Sequence, residues 1–265
     1  MELSFTVLCG AMKAAVTGIF PPQCPGCGAG VAEDGGLCPD CWRDTEFIGG
    51  TACGHCGAPL PGPAGGGETA DDEALVCDDC LATPRPWQRG RAAVVYAGAG
   101  RRLALALKHG DRLDLVPVLG GWMARAAAPL VQPGMLVVPV PIHPRRLLGR
   151  KYNQAALLAA RIARAHRLPL VPGALIRRRH TPMQNHASVA DRFANLEGAL
   201  AVPPAMQPRL SGRPILLVDD VMTSGATLAA AAGALSGAGC GAVSVTVLAR
   251  AVKGGRPARD GDTDA

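Results

Sequence analysis

The residues best placed to do chemistry lie in one run, ILLVDDVMTSGAT, at positions 215–227. Its four leading apolar residues predict a buried strand. Asp219 and Asp220 follow at the carboxyl end of that strand, which is the edge where open α/β sheets bind ligands. Adjacent carboxylates need polar partners, and the cis 2′- and 3′-hydroxyls of a ribose would supply them.

A turn of small residues follows the two acids and opens a predicted helix. The turn consists of Thr223, Ser224, Gly225, Ala226 and Thr227. Its backbone N–H groups and the helix dipole favour a bound phosphate dianion. Acids that suit a ribose, followed by a phosphate cradle, predict a site for a ribose 5-phosphate.

Eight of the ten cysteines form four C-x-x-C pairs in the first third of the chain. The pairs are Cys24 with Cys27, Cys38 with Cys41, Cys53 with Cys56, and Cys77 with Cys80. Each C-x-x-C turn directs two thiolates at one point, so two turns complete a tetrahedral set for Zn²⁺. Since four thiolates per ion leave no open position for water, about two structural zinc ions are predicted.

Two questions about the cysteines stay open at this level. Disulfides are the competing interpretation, but they require an oxidising compartment. Residues 1–20 lack a basic start and include Glu2 and Lys13, so they make a poor signal peptide; we predict an amphipathic helix there and a cytoplasmic protein. Sequential sharing of zinc, first pair with second and third with fourth, is preferred over an interleaved arrangement. His55 could replace a cysteine, although a solvent-facing loop residue is more typical.

Charge is distributed very unevenly along the chain. Residues 1–84 carry a net charge of −10, residues 85–192 carry +16, and the remainder is balanced, within a total of +6. A basic segment attracts phosphate groups, whereas an acidic zinc module makes a poor nucleic-acid surface. The alternative is that these arginines are ordinary solvent-exposed surface residues that bind no ligand.

The elements that must position these residues alternate between strand and helix. Strands are predicted at 91–97, 135–140, 215–218 and 243–248, and helices at 101–108, 113–128, 153–165 and 228–235. This alternation predicts an α/β fold with a mostly parallel, doubly wound sheet. A small zinc-ribbon module (21–84) precedes that domain (85–252), and a disordered tail follows it (253–265). No apolar run reaches the ~18–20 residues that a membrane helix needs.

The acidic run resembles the phosphoribosyl pyrophosphate (PRPP) motif of type I phosphoribosyltransferases. Together with the cysteine pairs, it makes the chain similar to the ComF family of competence-associated proteins, in which a zinc ribbon precedes a phosphoribosyltransferase-like domain. Further matching segments lie at 107–111, 138–141, 149–154 and 179–184. In the third of these the family usually has Arg-Gly-Phe-Asn-Gln, whereas Lys151 and Tyr152 stand here in place of Gly and Phe.

The resemblance implies roles for further residues. The loop with Pro139 and Val140 would face the pyrophosphate of PRPP, which Mg²⁺ would accompany. Lys108 and Arg150 would serve as cations for the same anion, or else as ordinary surface charges. Asp219 and Asp220 would bind the ribose of PRPP.

Two functions are compatible with this resemblance. In the first, the protein handles internalised single-stranded DNA with DNA-uptake machinery proteins, and its PRPP-binding domain is phosphoribosyltransferase-like. The DNA contacts would then come from Arg145, Arg146, Lys151, Arg177, Arg178 and Arg179. With nine aromatic residues in the chain, such contacts would be mainly to phosphates. The alternative is a true phosphoribosyltransferase of nucleobase salvage.

Overall fold

The structure, a computed structural model, describes residues 20–62, 75–143, 147, 151–179 and 188–252. The predicted N-terminal helix and the predicted tail fall almost wholly outside these ranges, as do Arg145, Arg146 and Arg150. The domain boundaries therefore stay predictions. Within the described ranges, no helix combines the length and apolar character needed to cross a membrane.

Eight α-helices and six strands are present in the part of the chain that the structure describes. The helices are α1 (Pro39–Arg43), α2 (Asp78–Ala82), α3 (Gly98–His109), α4 (Val116–Ala127), α5 (Gln154–His166), α6 (Val189–Leu196), α7 (Gln207–Leu210) and α8 (Ala226–Gly237). The strands are β1 (Arg89–Val95), β2 (Leu136–Pro139), β3 (Ile176–Arg177), β4 (Leu200–Ala201), β5 (Ile215–Met222) and β6 (Val243–Arg250). Short 3-10 turns occur at Leu113–Leu115, Ala128–Leu130 and Pro204–Met206.

Four of the strands form one parallel sheet in the order β1-β6-β5-β2. Every residue of β2 is buried, as its continuous apolar run predicts for a strand covered on both faces; every residue of β6 is buried too, although that strand includes Ser244 and Thr246. The predicted α/β fold with a mostly parallel sheet is confirmed. β3 and β4 form a separate antiparallel pair that the sequence pattern did not predict.

Helices cover the two faces of the sheet with separate apolar cores. On one face, α3, α4 and α5 bury leucines such as Leu107, Leu119 and Leu158 against the sheet. On the other face, α8 packs through Leu228 and Leu235. This second core also includes cysteines of the third and fourth C-x-x-C pairs, so part of the zinc module belongs to the core of the domain.

The zinc module is joined to the sheet by backbone contacts. Ile48 donates its N–H to the Ala93 carbonyl at 3.0 Å, which extends the sheet beyond β1 by a short antiparallel bridge. The knuckle around His55 lies against Gly90 at the start of β1, where a Cβ would come within 2.1 Å of the His55 carbonyl oxygen. A glycine is therefore needed at position 90 for this close approach.

Candidate functional site

The carboxyl ends of the parallel strands meet at a cleft of about 370 Å³. Predicted site residues that line it are Lys108, Val140, Asp219, Asp220, Thr223, Ser224, Gly225, Ala226, Thr227 and Arg177. They come from the end of β5, the turn and helix start that follow it, the loop after β2, the end of α3 and, for Arg177, β3. Pro139 lies outside this lining, buried in β2 opposite Val218. The fold thus brings together, within the described residues, most of the predicted ribose and phosphate contacts.

The two acids sit at the floor of the cleft, and β5 continues through both of them to Met222. Asp220 is 9% exposed, and its Oδ2 lies 3.7 Å from Nζ of Lys108. Burial, and then repulsion by the neighbouring Asp220 carboxylate, raise the pKa of Asp219 well above its ordinary value. The negative charge of the two acids is therefore poorly compensated by the protein alone. A ligand with hydroxyl donors, or a bound cation, would stabilise it.

Three consecutive side chains hold the two segments that flank these acids, the end of α3 and the loop after β2. Tyr152 donates its hydroxyl to the Leu107 carbonyl at 2.8 Å, and Gln154, which is almost fully buried, donates to the Lys108 carbonyl at 3.2 Å. Asn153 donates to the Val140 carbonyl at 3.0 Å while its Oδ1 caps the start of α5. The segment at 152–154 therefore positions the end of α3 and the Val140 loop, and Tyr152 takes part in that role.

Lys151, immediately before this segment, has φ +64, in the left-handed region that favours glycine. It occupies the position at which the related family pattern usually has glycine. The side chain is exposed, so the charge is available to solvent. The substitution keeps the turn at the cost of backbone strain.

The phosphate loop, residues 223–227, is oriented by two arginines beneath it. Nη1 of Arg250 donates to the Thr223 carbonyl at 2.8 Å, and Nη1 of Arg85 donates to the Ser224 carbonyl at 2.6 Å. Because these peptide bonds are trans, the N–H groups of Ser224 and Gly225 point in the opposite direction. The loop thus presents backbone donors on the side away from the arginines, beside the amino terminus of α8.

Gly225 makes this loop geometry possible. Its φ is +82, and a Cβ would lie 2.9 Å from Nη1 of Arg85 and 3.3 Å from the Trp87 ring. Any larger residue would be strained by its backbone and would displace the arginine as well.

The eight paired cysteines form two sets of four in the sequential arrangement. The sets are Cys24, Cys27, Cys38 and Cys41, and Cys53, Cys56, Cys77 and Cys80, with the sulfurs of each set within 4.8 Å of one another. A tetrahedral zinc with Zn–S bonds of ~2.3 Å needs S–S distances of about 3.8 Å, which these sets can adopt with small shifts. Backbone N–H groups of Cys41 and Cys77 also donate to Cys38 and Cys53 sulfurs at 3.4 Å. His55 is half-buried and stands outside both sets.

The arginine triplet at 177–179 does not act as a single surface. Arg177 lines the cleft, whereas Arg178 is exposed. Arg179 donates from Nη2 to the carbonyls of Asn195 and Glu197, both at 3.0 Å, and so closes the end of α6. Arg178 is held through its backbone, whose N–H donates to the Ala199 carbonyl at 2.9 Å, and its side chain is exposed to solvent.

Arg85 and Arg250 were missed as site residues by sequence reasoning. Arg250 is the only charged residue of strand β6 and ends it at the same edge as the acids, so a charge at that position is a usable signal. Arg85 lies in a proline-rich connection, where its sequence neighbours carry no such signal.

Comparison with known proteins agrees with this two-part architecture. Residues 15–81 match the double zinc ribbon domain family, and residues 153–264 match the phosphoribosyl transferase domain family. DNA utilization protein YhgH from Escherichia coli K12 is 32% identical over 221 residues, which cover 81% of this chain and 90% of the relative. The chain belongs to the ComF family.

Other similar proteins support the assignment. The Salmonella typhimurium protein named DNA utilization protein YhgH is 30% identical over 221 residues, or 81% of this chain and 90% of the relative. Competence protein F from Haemophilus influenzae is 28% identical over 221 residues, or 82% and 91%. The ComF resemblance drawn from the motifs is thereby confirmed. The double ribbon with two four-cysteine sets also supports the predicted zinc content of about two structural ions.

Proposed function

We propose that this ComF-family protein binds PRPP in the cleft at the carboxyl edge of its sheet and acts in the cytoplasm on internalised single-stranded DNA. The observation that carries the PRPP assignment is the convergence of Asp219, Asp220, Lys108 and the phosphate loop on one cleft. Few other ligands combine vicinal hydroxyls, a terminal monophosphate and a second anionic group.

Each part of PRPP has a chemically matched partner. The carboxylate of Asp220 accepts hydrogen bonds from the ribose hydroxyls, with Asp219 beside it. The N–H groups of Ser224 and Gly225 donate to the 5′-phosphate at the start of α8. Lys108, at the end of α3 that Gln154 holds, supplies positive charge for the pyrophosphate, and Arg150, outside the described residues, is proposed for the same anion.

Mg²⁺ is proposed as the companion of the pyrophosphate, because it bridges phosphate oxygens and prefers hard oxygen ligands. The nearby carboxylates of Asp219 and Asp220 fit that preference. A cation in the cleft would lower the pKa of Asp219 from its raised value, so binding is expected to release protons.

Calorimetry with PRPP and Mg²⁺ tests this assignment. Asp220→Asn should weaken binding about 10- to 100-fold, because a ribose hydroxyl loses a charge-assisted hydrogen bond of roughly 1.5–3 kcal/mol. Asp114→Asn is the matched control, since Asp114 is an exposed acid paired with Arg112 outside the cleft lining. Absence of PRPP binding by the wild-type protein would refute the ligand assignment.

The proposal for DNA rests on the relatives' names and on charge. Two of the similar proteins are named for DNA utilization and one for competence. The +16 charge of residues 85–192 provides the attraction for a phosphate backbone, and exposed cations such as Lys151 and Arg178 are candidate contacts. Arg145 and Arg146 stay in the proposed set, although they lie outside the described residues.

A salt titration tests the DNA proposal. Log affinity for single-stranded DNA should fall with log salt by ~0.7 for each phosphate neutralised, with little sequence preference. Arg178→Ala should flatten that dependence, whereas Arg209→Ala, an exposed arginine outside the basic segment, should not. Absence of DNA binding at low salt would refute the proposal of direct contacts to the DNA phosphates.

One observation favours the alternative of a true phosphoribosyltransferase. Arg192, Asn195 and Leu196 of α6 line the same cleft as the acids, so an acceptor bound beside PRPP would have polar and apolar side chains to contact. In that reaction the bond from C1 to pyrophosphate breaks, a nitrogen of the acceptor base bonds to C1 and gives up its proton to the departing pyrophosphate or to solvent, and the two acids stabilise the cationic ribose. Pyrophosphate release that requires an added nucleobase would establish the transferase; binding without release would favour the PRPP-binding role.

A further inference from the structure

The second ribbon, with Cys53, Cys56, Cys77 and Cys80, lies directly behind the phosphate loop. Two arginines bridge the two features. Nε of Arg85 lies 3.3 Å from the Cys80 sulfur, while its Nη1 holds the Ser224 carbonyl at 2.6 Å. One guanidinium therefore contacts a metal-ligand sulfur and the phosphate loop at the same time.

Arg250 makes a parallel connection. It is 1% exposed, and its Nη2 lies 3.4 Å from Oδ2 of Asp79, one of the two residues between Cys77 and Cys80. Its Nη1 donates to the carbonyls of Thr223 and Ala251. Both Nη atoms of this buried guanidinium thus have an anionic or a carbonyl partner, and losing either partner would be costly.

Trp87 keeps Arg85 in place. The Trp87 ring lies 5.7 Å from Cζ of Arg85, and its Nε1 donates to the His55 carbonyl of the knuckle at 2.6 Å. Trp87 is itself buried. Arg85 is therefore held by the Trp87 ring as well as by its hydrogen bonds to Cys80 and Ser224.

We propose that Arg85 and Arg250 are positioning residues for anion binding. Through these two arginines, the zinc site of the second ribbon stabilises the anion-binding conformation of the phosphate loop. By fixing the Thr223 and Ser224 carbonyls, they aim the following N–H groups at the anion. Loss of this zinc would release α2, which carries Cys80 and Asp79, and with it the partners of both arginines. This inference rests on the proposed PRPP site and adds a metal dependence to it.

The first ribbon provides a matched comparison. Asp44, just after its last cysteine, pairs with Arg102 of α3 at 2.8 Å. That pair also joins a ribbon to the domain, but neither residue lines the cleft in the described part of the chain. The zinc of the first ribbon is accordingly expected to have little effect on the loop.

Binding of PRPP with Mg²⁺, and of ribose 5-phosphate alone, should be measured by calorimetry in the zinc-loaded protein. Arg85→Ala should weaken both ligands about tenfold or more, and Arg85→Lys should not restore binding, because an ammonium cannot span the sulfur and the carbonyl in the same way. Arg102→Ala should leave both affinities unchanged. Equal affinities in wild type and Arg85→Ala would overturn the inference while leaving the PRPP assignment intact.

A second measurement uses the reciprocity of linked binding. Ribose 5-phosphate should slow zinc release to a chelator from the second ribbon and not from the first, with the two phases assigned by Cys38→Ser, which lacks one first-ribbon ligand. In Arg85→Ala this protection should disappear. Ligand-independent release in the wild type would contradict the inference, and failure of the wild type to bind either ligand would refute both this inference and the PRPP site.

Discussion

Asp219→Asn should stabilise the ligand-free protein while impairing PRPP binding. The carboxyl of Asp219 has a raised pKa because it is withdrawn from water and lies beside Asp220. The folded state therefore holds a proton that the unfolded chain releases. This favours folding fully below the ordinary pKa of ~3.9, and the advantage is lost as pH rises through the folded-state value.

The size of the stability gain follows from the surroundings of the Asp219 carboxyl. Lys108 offsets part of the acidic charge, since its Nζ lies 3.7 Å from Asp220. A buried polar group that lacks a full set of partners costs on the order of 1–2 kcal/mol, which Asp219→Asn should recover at pH 8; this corresponds to roughly 3–6 °C in Tm for a protein of this size.

Thermal unfolding at pH 5.5–8.5 measures the effect, with wild type and variant compared at each pH so that contributions from zinc-ligand protonation cancel. The gap in Tm should widen as pH rises toward the raised pKa of Asp219 and stay constant above it. Asp114→Asn should show the opposite sign and a small size, because Arg112 lowers the pKa of that exposed carboxyl. PRPP with Mg²⁺ should raise the Tm of the wild type more than that of Asp219→Asn. A variant that is less stable than wild type at pH 8, or a gap that narrows as pH rises, would refute the reasoning.

Three further predictions concern zinc, the phosphate loop and the strained turn. Native mass spectrometry should show about two zinc ions in the wild type and one fewer in Cys38→Ser; disulfides between the pairs would contradict this. Gly225→Val should weaken PRPP binding in calorimetry more than Asp220→Asn does, because its Cβ would displace Arg85 and its φ of +82 disfavours a branched residue. Lys151→Gly should raise the free energy of unfolding by about 0.5 kcal/mol in a denaturant titration by relieving the left-handed strain, and a loss of stability would count against that account.

Local sequence pattern was sufficient for the main strands and for the acids at the end of β5. Buried parallel strands appear as continuous apolar runs, and the residues that follow them must lie at the carboxyl edge of the sheet. The cysteine turns were predictable for a similar reason, because a C-x-x-C turn is specified by four neighbouring residues. Element ends were less accurate: the helix predicted from Leu113 begins at Val116, after a 3-10 turn.

Contacts between distant segments were decided only by the tertiary structure. The sequential grouping of cysteines, the bond from Tyr152 to Leu107 and the bridge from Arg85 to Ser224 join residues that local pattern treats as unrelated. Arg85 and Ser224 are 139 residues apart, and no periodicity or turn preference links them. Residue types determine which chemistry is possible. The packing of the second ribbon behind the phosphate loop determines which groups meet, because the partners of a buried guanidinium depend on the whole fold that surrounds it.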